Sequence, residues 1–104
     1  MEELIQKSVV RRDGKQKTFR AGDKITIKTY LNGVRPSDYC GEATWELGVR
    51  IVENGKIGWR AVSYDAKLDD TYDMFIPERD LRGWKEIDSN PAQGNTYYNF
   101  VYWE

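Results

Sequence analysis

The sequence predicts an all-β domain, and three observations carry that prediction. Residues 24–31, KITIKTYL, alternate apolar and polar side chains with the two-residue period of a half-buried strand. Two further β-compatible runs flank Asn54-Gly55, a pair suited to tight hairpin turns. Between these runs Gly, Pro, Asn and Asp recur at short intervals, leaving segments of strand length.

The bulk composition fits one domain spanning residues 1–104. A chain of this size buries roughly 60–65% of the surface it exposes when unfolded, enough for one modest core. Four Trp, seven Tyr and three Phe furnish it with bulky groups, and a charged fraction of 32% keeps the exterior wet. Cys40 is the only cysteine, so an internal disulfide is excluded and a reducing compartment is expected. The apolar stretch in MEELIQKSVVRR is too short and interrupted for a signal sequence. No window approaches the ~18 apolar residues of a membrane helix. A cytoplasmic protein with no membrane association is the expectation.

In chain order, VVRRDGKQKTF (residues 9–19) sets Asp13-Gly14 between two β-compatible runs and predicts a hairpin. Gly22-Asp23 is a turn that opens the strand at 24–31, with Ile25, Ile27, Thr29 and Leu31 on one side and Lys24, Thr26, Lys28 and Tyr30 on the other. LNGVRPSDYCGE, residues 31–42, has the Asn-Gly, Pro and Ser-Asp content of a loop.

For the hairpin over residues 43–64 the register is a choice. A two-residue loop pairs Glu53 with Lys56 and wastes Val49 against Arg60 and Ile51 against Gly58. A three-residue loop, with Gly55 as a left-handed bulge, pairs Ile51 with Ile57, Val49 with Trp59 and Leu47 with Ala61. Because a one-residue slip exchanges the two faces of a strand, the second register is expected, with Trp45, Leu47, Val49, Ile51, Ile57 and Trp59 facing the core. Arg50 and Arg60 then lie outside.

DAKLDDTYD, residues 65–73, is a polar connection with room for one helical turn. Met74-Phe75-Ile76 is a short strand that Pro77 ends, because proline supplies no ladder donor. Pro77 also suits the first position of a short 3-10 turn that places Glu78, Arg79 and Asp80 outside and drops Leu81 into the core. Gly83 releases the chain into a strand at 84–87. The terminal NTYYNFVYWE forms an extra strand on a barrel edge, with either Tyr98, Phe100 and Tyr102 or Tyr97, Val101 and Trp103 inward.

The order of elements over residues 19–87, with the stretches FRAGD and IPERDLRGW, resembles the small SH3-like β-barrels of phage and mobile-element proteins. The resemblance implies a small, partly open SH3-like barrel with one short 3-10 turn, to which the C-terminal strand is an addition. Family members that bind Pro-rich peptides carry an acidic loop with paired aromatic residues, where LNGVRPSDYC has only Asp38 and Tyr39. The resemblance therefore does not extend to that peptide chemistry.

Catalytic chemistry finds little support. The chain has no histidine, which removes the commonest general base near neutral pH and the Ser-His and Cys-His pairs. Asp65, Asp69, Asp70 and Asp73 lack the spacing of a calcium loop, so no metal is expected. Glu78 with Asp80, or Glu86 with Asp88, are neighbours on a corner or a strand, without a cleft to enclose a glycoside. No glycine-rich phosphate loop ends in Lys-Ser/Thr. A non-enzymatic binding protein without a cofactor is the expectation.

Charge is unevenly distributed, with ten Lys/Arg against seven Asp/Glu over residues 1–50 and six against ten over 51–104, or +3 and −4. The leading functional expectation is an accessory protein that binds and inhibits a host defence or nucleic-acid-handling protein. Its contacts would be Asp65, Asp69, Asp70, Asp73, Glu78 and Asp80, with Tyr97, Tyr102 and Trp103 of the aromatic terminus. A second expectation is nucleic-acid binding through Arg11, Arg12, Lys15, Lys17 and Arg20, with Tyr30 or Tyr39 stacking on bases. A third is a small anionic ligand such as a nucleotide, held across a homo-oligomer interface.

Overall fold

Turn chemistry sets the topology. Asp13 and Gly14 have φ of 51° and 78°, and Asn54 and Gly55 have 51° and 77°, so each pair closes a two-residue hairpin turn. In the computed structural model, which describes residues 4–90 and 92–103 with backbone alone over 84–90, the chain is all-β. The strands are β1 (Lys7–Arg12), β2 (Lys15–Arg20), β3 (Lys24–Leu31), β4 (Tyr39–Glu53), β5 (Lys56–Asp65), β6 (Asp70–Pro77), β7 (Trp84–Asn90) and β8 (Asn95–Tyr102). Short 3-10 turns occupy Pro36–Asp38 and Glu78–Arg82, one more than the sequence led us to expect. The first forms because Pro36 opens it and the Asp38 carboxylate accepts from the Arg35 backbone N–H at 3.0 Å.

β1 and β2 form a two-stranded sheet, and the others form one antiparallel sheet in the order β6-β5-β4-β3-β8-β7. Edge strands β6 and β7 are joined through the Glu78–Arg82 turn but do not pair among the described residues, so the sheet remains open. The C-terminal strand is not at an edge. It lies between β3 and β7, with Val101 paired to Ile27, and its inward set is that of Tyr97, Val101 and Trp103.

Residues of the β1–β2 hairpin cover one end of the concave face of this sheet. Val10 and Phe19 join Ile25, Leu47, Trp59, Leu81 and Val101 in the buried core. Trp103 closes that end by packing edge-on against Phe19, ring centroids 5.7 Å apart, and donating its indole N–H to the Leu81 carbonyl at 2.6 Å. Arg12 donates to the Val101 carbonyl at 2.7 Å. β2, β8 and the second 3-10 turn are thereby clasped together.

The β4–β5 register corrects the sequence expectation. The two-residue turn pairs Glu53 with Lys56, Val52 with Ile57, Ile51 with Gly58 and Arg50 with Trp59. Gly48 and Val49 together then face Arg60, and this bulge restores the expected Leu47–Ala61 pair. The chain satisfies the turn first and repairs the hydrophobic pattern further along. Leu47 and Trp59 are buried as expected and Trp45 packs against the core, but Val49 and Ile57 are 46% and 40% exposed. The bulge also carries Arg50 to the inner face.

Three other expectations are revised. Residues 65–73 are a hairpin end, with turn at 66–69 and strand on either side, because Asp65 pairs with Asp70 and β5–β6 runs further than its polar residues suggested. Tyr39 begins β4, with Cys40 as the extra residue of a second bulge. Glu78 does not stand outside its corner: it is partly buried, accepting from Arg50 Nη2 at 2.8 Å and from the Ser8 hydroxyl, and the Asp80 side chain is mostly buried as well.

Candidate functional site

The feature that stands out is a two-stranded arm. β4 leaves β5 after the Glu46–Val62 pair and continues along β3, while β5 and β6 stay paired as far as Asp65–Asp70. Residues 63–72 thus form a ribbon tied to β4 by the Ser63 hydroxyl, which donates to the Thr44 carbonyl at 2.7 Å. Beyond the core such a ribbon has little to bury its side chains against. Tyr64 and Leu68 are 62% and 66% exposed, and Val62 and Tyr72 are exposed beside them.

Four carboxylates interleave these apolar groups, and each also shapes the arm. The Asp65 carboxylate accepts from the Lys67 and Leu68 backbone N–H groups at 2.9 and 3.3 Å, an Asx-type turn that folds the tip. Asp69, in the left-handed region at φ 47°, accepts from the Tyr64 hydroxyl at 2.7 Å. That bond holds the Tyr64 phenol above its ordinary pKa, because ionisation would set a phenolate against a carboxylate. Asp70 accepts from the Thr71 N–H, and Asp73 pairs with Arg60. The arm and its base therefore present four carboxylates against Lys67 and Arg60, set among exposed Tyr and Leu, with Asp73 and Arg60 paired at the base.

A second surface lies on the convex face, where β4, β3 and β8 adjoin. The aromatic rings of Tyr39, Tyr30, Phe100 and Tyr102 form a row, with successive centroids 5.6, 5.4 and 6.4 Å apart. Lys28 Nζ sits 4.3 Å from the Tyr102 ring centre, and the Arg12 guanidinium lies 5.8 Å from it on a neighbouring element. An open groove of about 460 Å³ runs beside Tyr102 and Trp103, lined also by Lys17, Lys24, Lys28 and Glu42. Glu42 accepts from the Tyr39 hydroxyl at 2.7 Å, which raises the Tyr39 pKa.

No family model, curated protein or solved structure matches this chain. Its chemistry is legible only from its own geometry.

The structure separates residues that the sequence grouped. Asp65, Asp69 and Asp70 are on the arm and Asp73 is at its base, whereas Glu78 and Asp80 lie past the other end of β6, in the second 3-10 turn. Tyr102 is on the convex face, Tyr97 belongs to the inner-facing set, and Trp103 is the clasp against Phe19. Of the basic group, Arg12, Lys15 and Lys17 share one side of the β1–β2 hairpin, next to Tyr102 and Trp103. Arg11 and Arg20 are on its other side, in register with Gln16 and Lys7. Glu86 and Asp88 lie outside the described side chains. Sequence reasoning passed over Val62, Tyr64, Leu68 and Tyr72 as contact groups, although the spacing of Val62 and Tyr64 on one strand face was a readable signal.

Proposed function

We propose that this chain is a non-enzymatic binding module of SH3-like barrel kind that docks its acidic, aromatic β5–β6 arm onto a basic surface of a host protein. The supporting observation is the exposure of Tyr64, Leu68, Tyr72 and Val62 on one ribbon beyond the core, interleaved with four aspartates. The Tyr64 hydroxyl helps to fold the tip, but the exposed surfaces of Tyr64, Leu68 and Tyr72 are not used by the core, and aromatic anchors ringed by polar groups are the usual makeup of an interface centre. The arm ends on the edge strand β6, which offers backbone groups for strand pairing as well as side chains. Its carboxylates fit a partner that ordinarily receives nucleic acid, in keeping with an inhibitor carried by a phage or mobile element.

The test compares three tagged proteins in capture from host lysate. These are the wild type, an arm variant (Tyr64→Ser, Leu68→Ser, Tyr72→Ser) and a convex-face variant (Lys24→Glu, Lys28→Glu). A partner retained by the convex-face variant and lost by the arm variant supports the proposal, and the reverse pattern refutes it.

One observation favours a second reading. The aromatic row beside Lys28, Lys24, Lys17 and Arg12 has the elements of a single-strand platform, with rings for stacking and cations for phosphates. In that case a fluorescent oligothymidylate binds the isolated protein, and its affinity falls steeply with salt. The arm proposal predicts no such binding.

A further inference from the structure

The arm tip and the convex groove are opposites in charge and alike in carrying apolar surface. At the tip, Asp65, Asp69 and Asp70 stand against Lys67 around the exposed side chains of Tyr64 and Leu68. These carboxylates accept from neutral groups, the backbone N–H groups of Lys67, Leu68 and Thr71 and the Tyr64 hydroxyl, which leave their negative charge in place. The groove reverses the sign. Lys17, Lys24 and Lys28 line it against Glu42, beside Tyr102 and Trp103. Its volume of about 460 Å³ makes it deep enough to seat side chains. Within one chain the two do not meet, since Tyr64 and Leu68 remain 62% and 66% exposed. Between two chains little opposes their meeting, because a net charge of −1 gives almost no long-range repulsion.

We infer that the groove receives the arm of a second copy of this chain, with Asp65, Asp69 and Asp70 against Lys24 and Lys28 and with Tyr64 and Leu68 on Tyr102 and Trp103. The inference rests on the reading of the arm as a docking element. About a two-fold axis the same contact forms twice, so the assembly closes as a dimer. A ribbon tip as short as residues 63–72 buries less than the ~1,200 Å² of stable complexes, so the dimer is weak and yields to a host surface that holds the arm more tightly. Until then it shields the exposed tyrosine and leucine of the tip.

Sedimentation velocity of the full chain is run from ~10 µM to ~1 mM, the range of weak association, in low and in high salt. No host protein is present, so a failure here is separate from a failure to capture a host partner. The weight-average mass is expected to rise toward that of the dimer at low salt, and the association to weaken ~10-fold or more in ~1 M salt, where the Debye length is ~3 Å. NMR of the labelled wild type locates the contact without any substitution. Its amides at residues 63–72, 24–28 and 100–102 are expected to shift together with concentration and to return with salt. The convex-face variant (Lys24→Glu, Lys28→Glu) and the arm variant (Tyr64→Ser, Leu68→Ser, Tyr72→Ser) are each expected to stay monomeric alone. Adding unlabelled arm variant, whose groove is intact, to labelled convex-face variant, whose arm is intact, is expected to shift residues 63–72 of the latter. A wild type that stays monomeric to ~1 mM at low salt, either variant associating as the wild type does, or shifts confined to other surfaces would overturn the inference. A monomeric wild type whose groove binds oligothymidylate would overturn it in favour of the nucleic-acid reading.

Discussion

Trp59 donates its indole N–H to the Ser8 hydroxyl at 2.8 Å, and both residues are buried. The hydroxyl in turn donates a hydrogen bond to Glu78, which also accepts from Arg50 Nε and Nη2 at 3.2 and 2.8 Å. One relay therefore ties β1 to β4, β5 and the second 3-10 turn. The Gln6 side chain extends the link by bonding the Arg50 backbone N–H and carbonyl, at 2.8 and 2.9 Å. Ser8→Ala leaves the indole N–H buried without a partner and is expected to cost about 1–3 kcal/mol. Trp59→Phe removes the same bond, so the double variant should lose less than the sum of the two, by urea denaturation.

Gly58 shows the limit of packing on the convex side. A Cβ there would lie 2.6 Å from Phe75 Cζ and 2.8 Å from Pro77 Cα, and would run into the Ile76 carbonyl. Backbone on two sides leaves nothing that can turn away. Gly58→Ala is expected to lower stability by about 2–3 kcal/mol or more, read as a fall in urea midpoint at constant slope.

The Asn54-Gly55 turn gives a test that separates the two hairpin registers. Both residues have positive φ, so Asn54→Ala should cost about 1–2 kcal/mol, and Asn54→Gly much less. A three-residue loop with only Gly55 left-handed would make the Ala substitution nearly neutral. Thermal unfolding of the two variants distinguishes these outcomes.

The Tyr64 phenol should titrate above its ordinary value of 10, and Asp69→Asn should bring it back down, as followed by NMR of the ring carbons. Glu42→Gln should do the same for Tyr39 and leave Tyr64 unmoved. A raised phenol pKa contributes stability that is fully present below the unfolded value near 10 and is lost as pH rises through the folded value. This bond should therefore weaken, and the arm with it, as pH rises into the alkaline range.

The strands were legible where one face is buried throughout. Ile25 and Ile27 of β3 obey their period, and Pro77 ends β6 where a missing donor requires it. The β4–β5 register was not, because turn conformation and hydrophobic pattern disagreed over Val49 and Ile57, and a bulge at Gly48 and Val49 reconciled them. The role of Glu78 was hidden for a similar reason: its partners, Arg50 and Ser8, are brought to it by that bulge and by the placement of the β1–β2 hairpin. Of the candidate sites, the acidic run 65–73 could be seen in the chain, but the separation of β5 from β4 that frees it is a property of the sheet.

Hydrogen exchange on the purified complex with the captured partner addresses the central proposal most directly. Slowed exchange concentrated at residues 63–72, with the amides of β3 and β8 unchanged, is the predicted result. Protection centred on residues 24–30 and 98–102, with the arm exchanging as in the free protein, would contradict it.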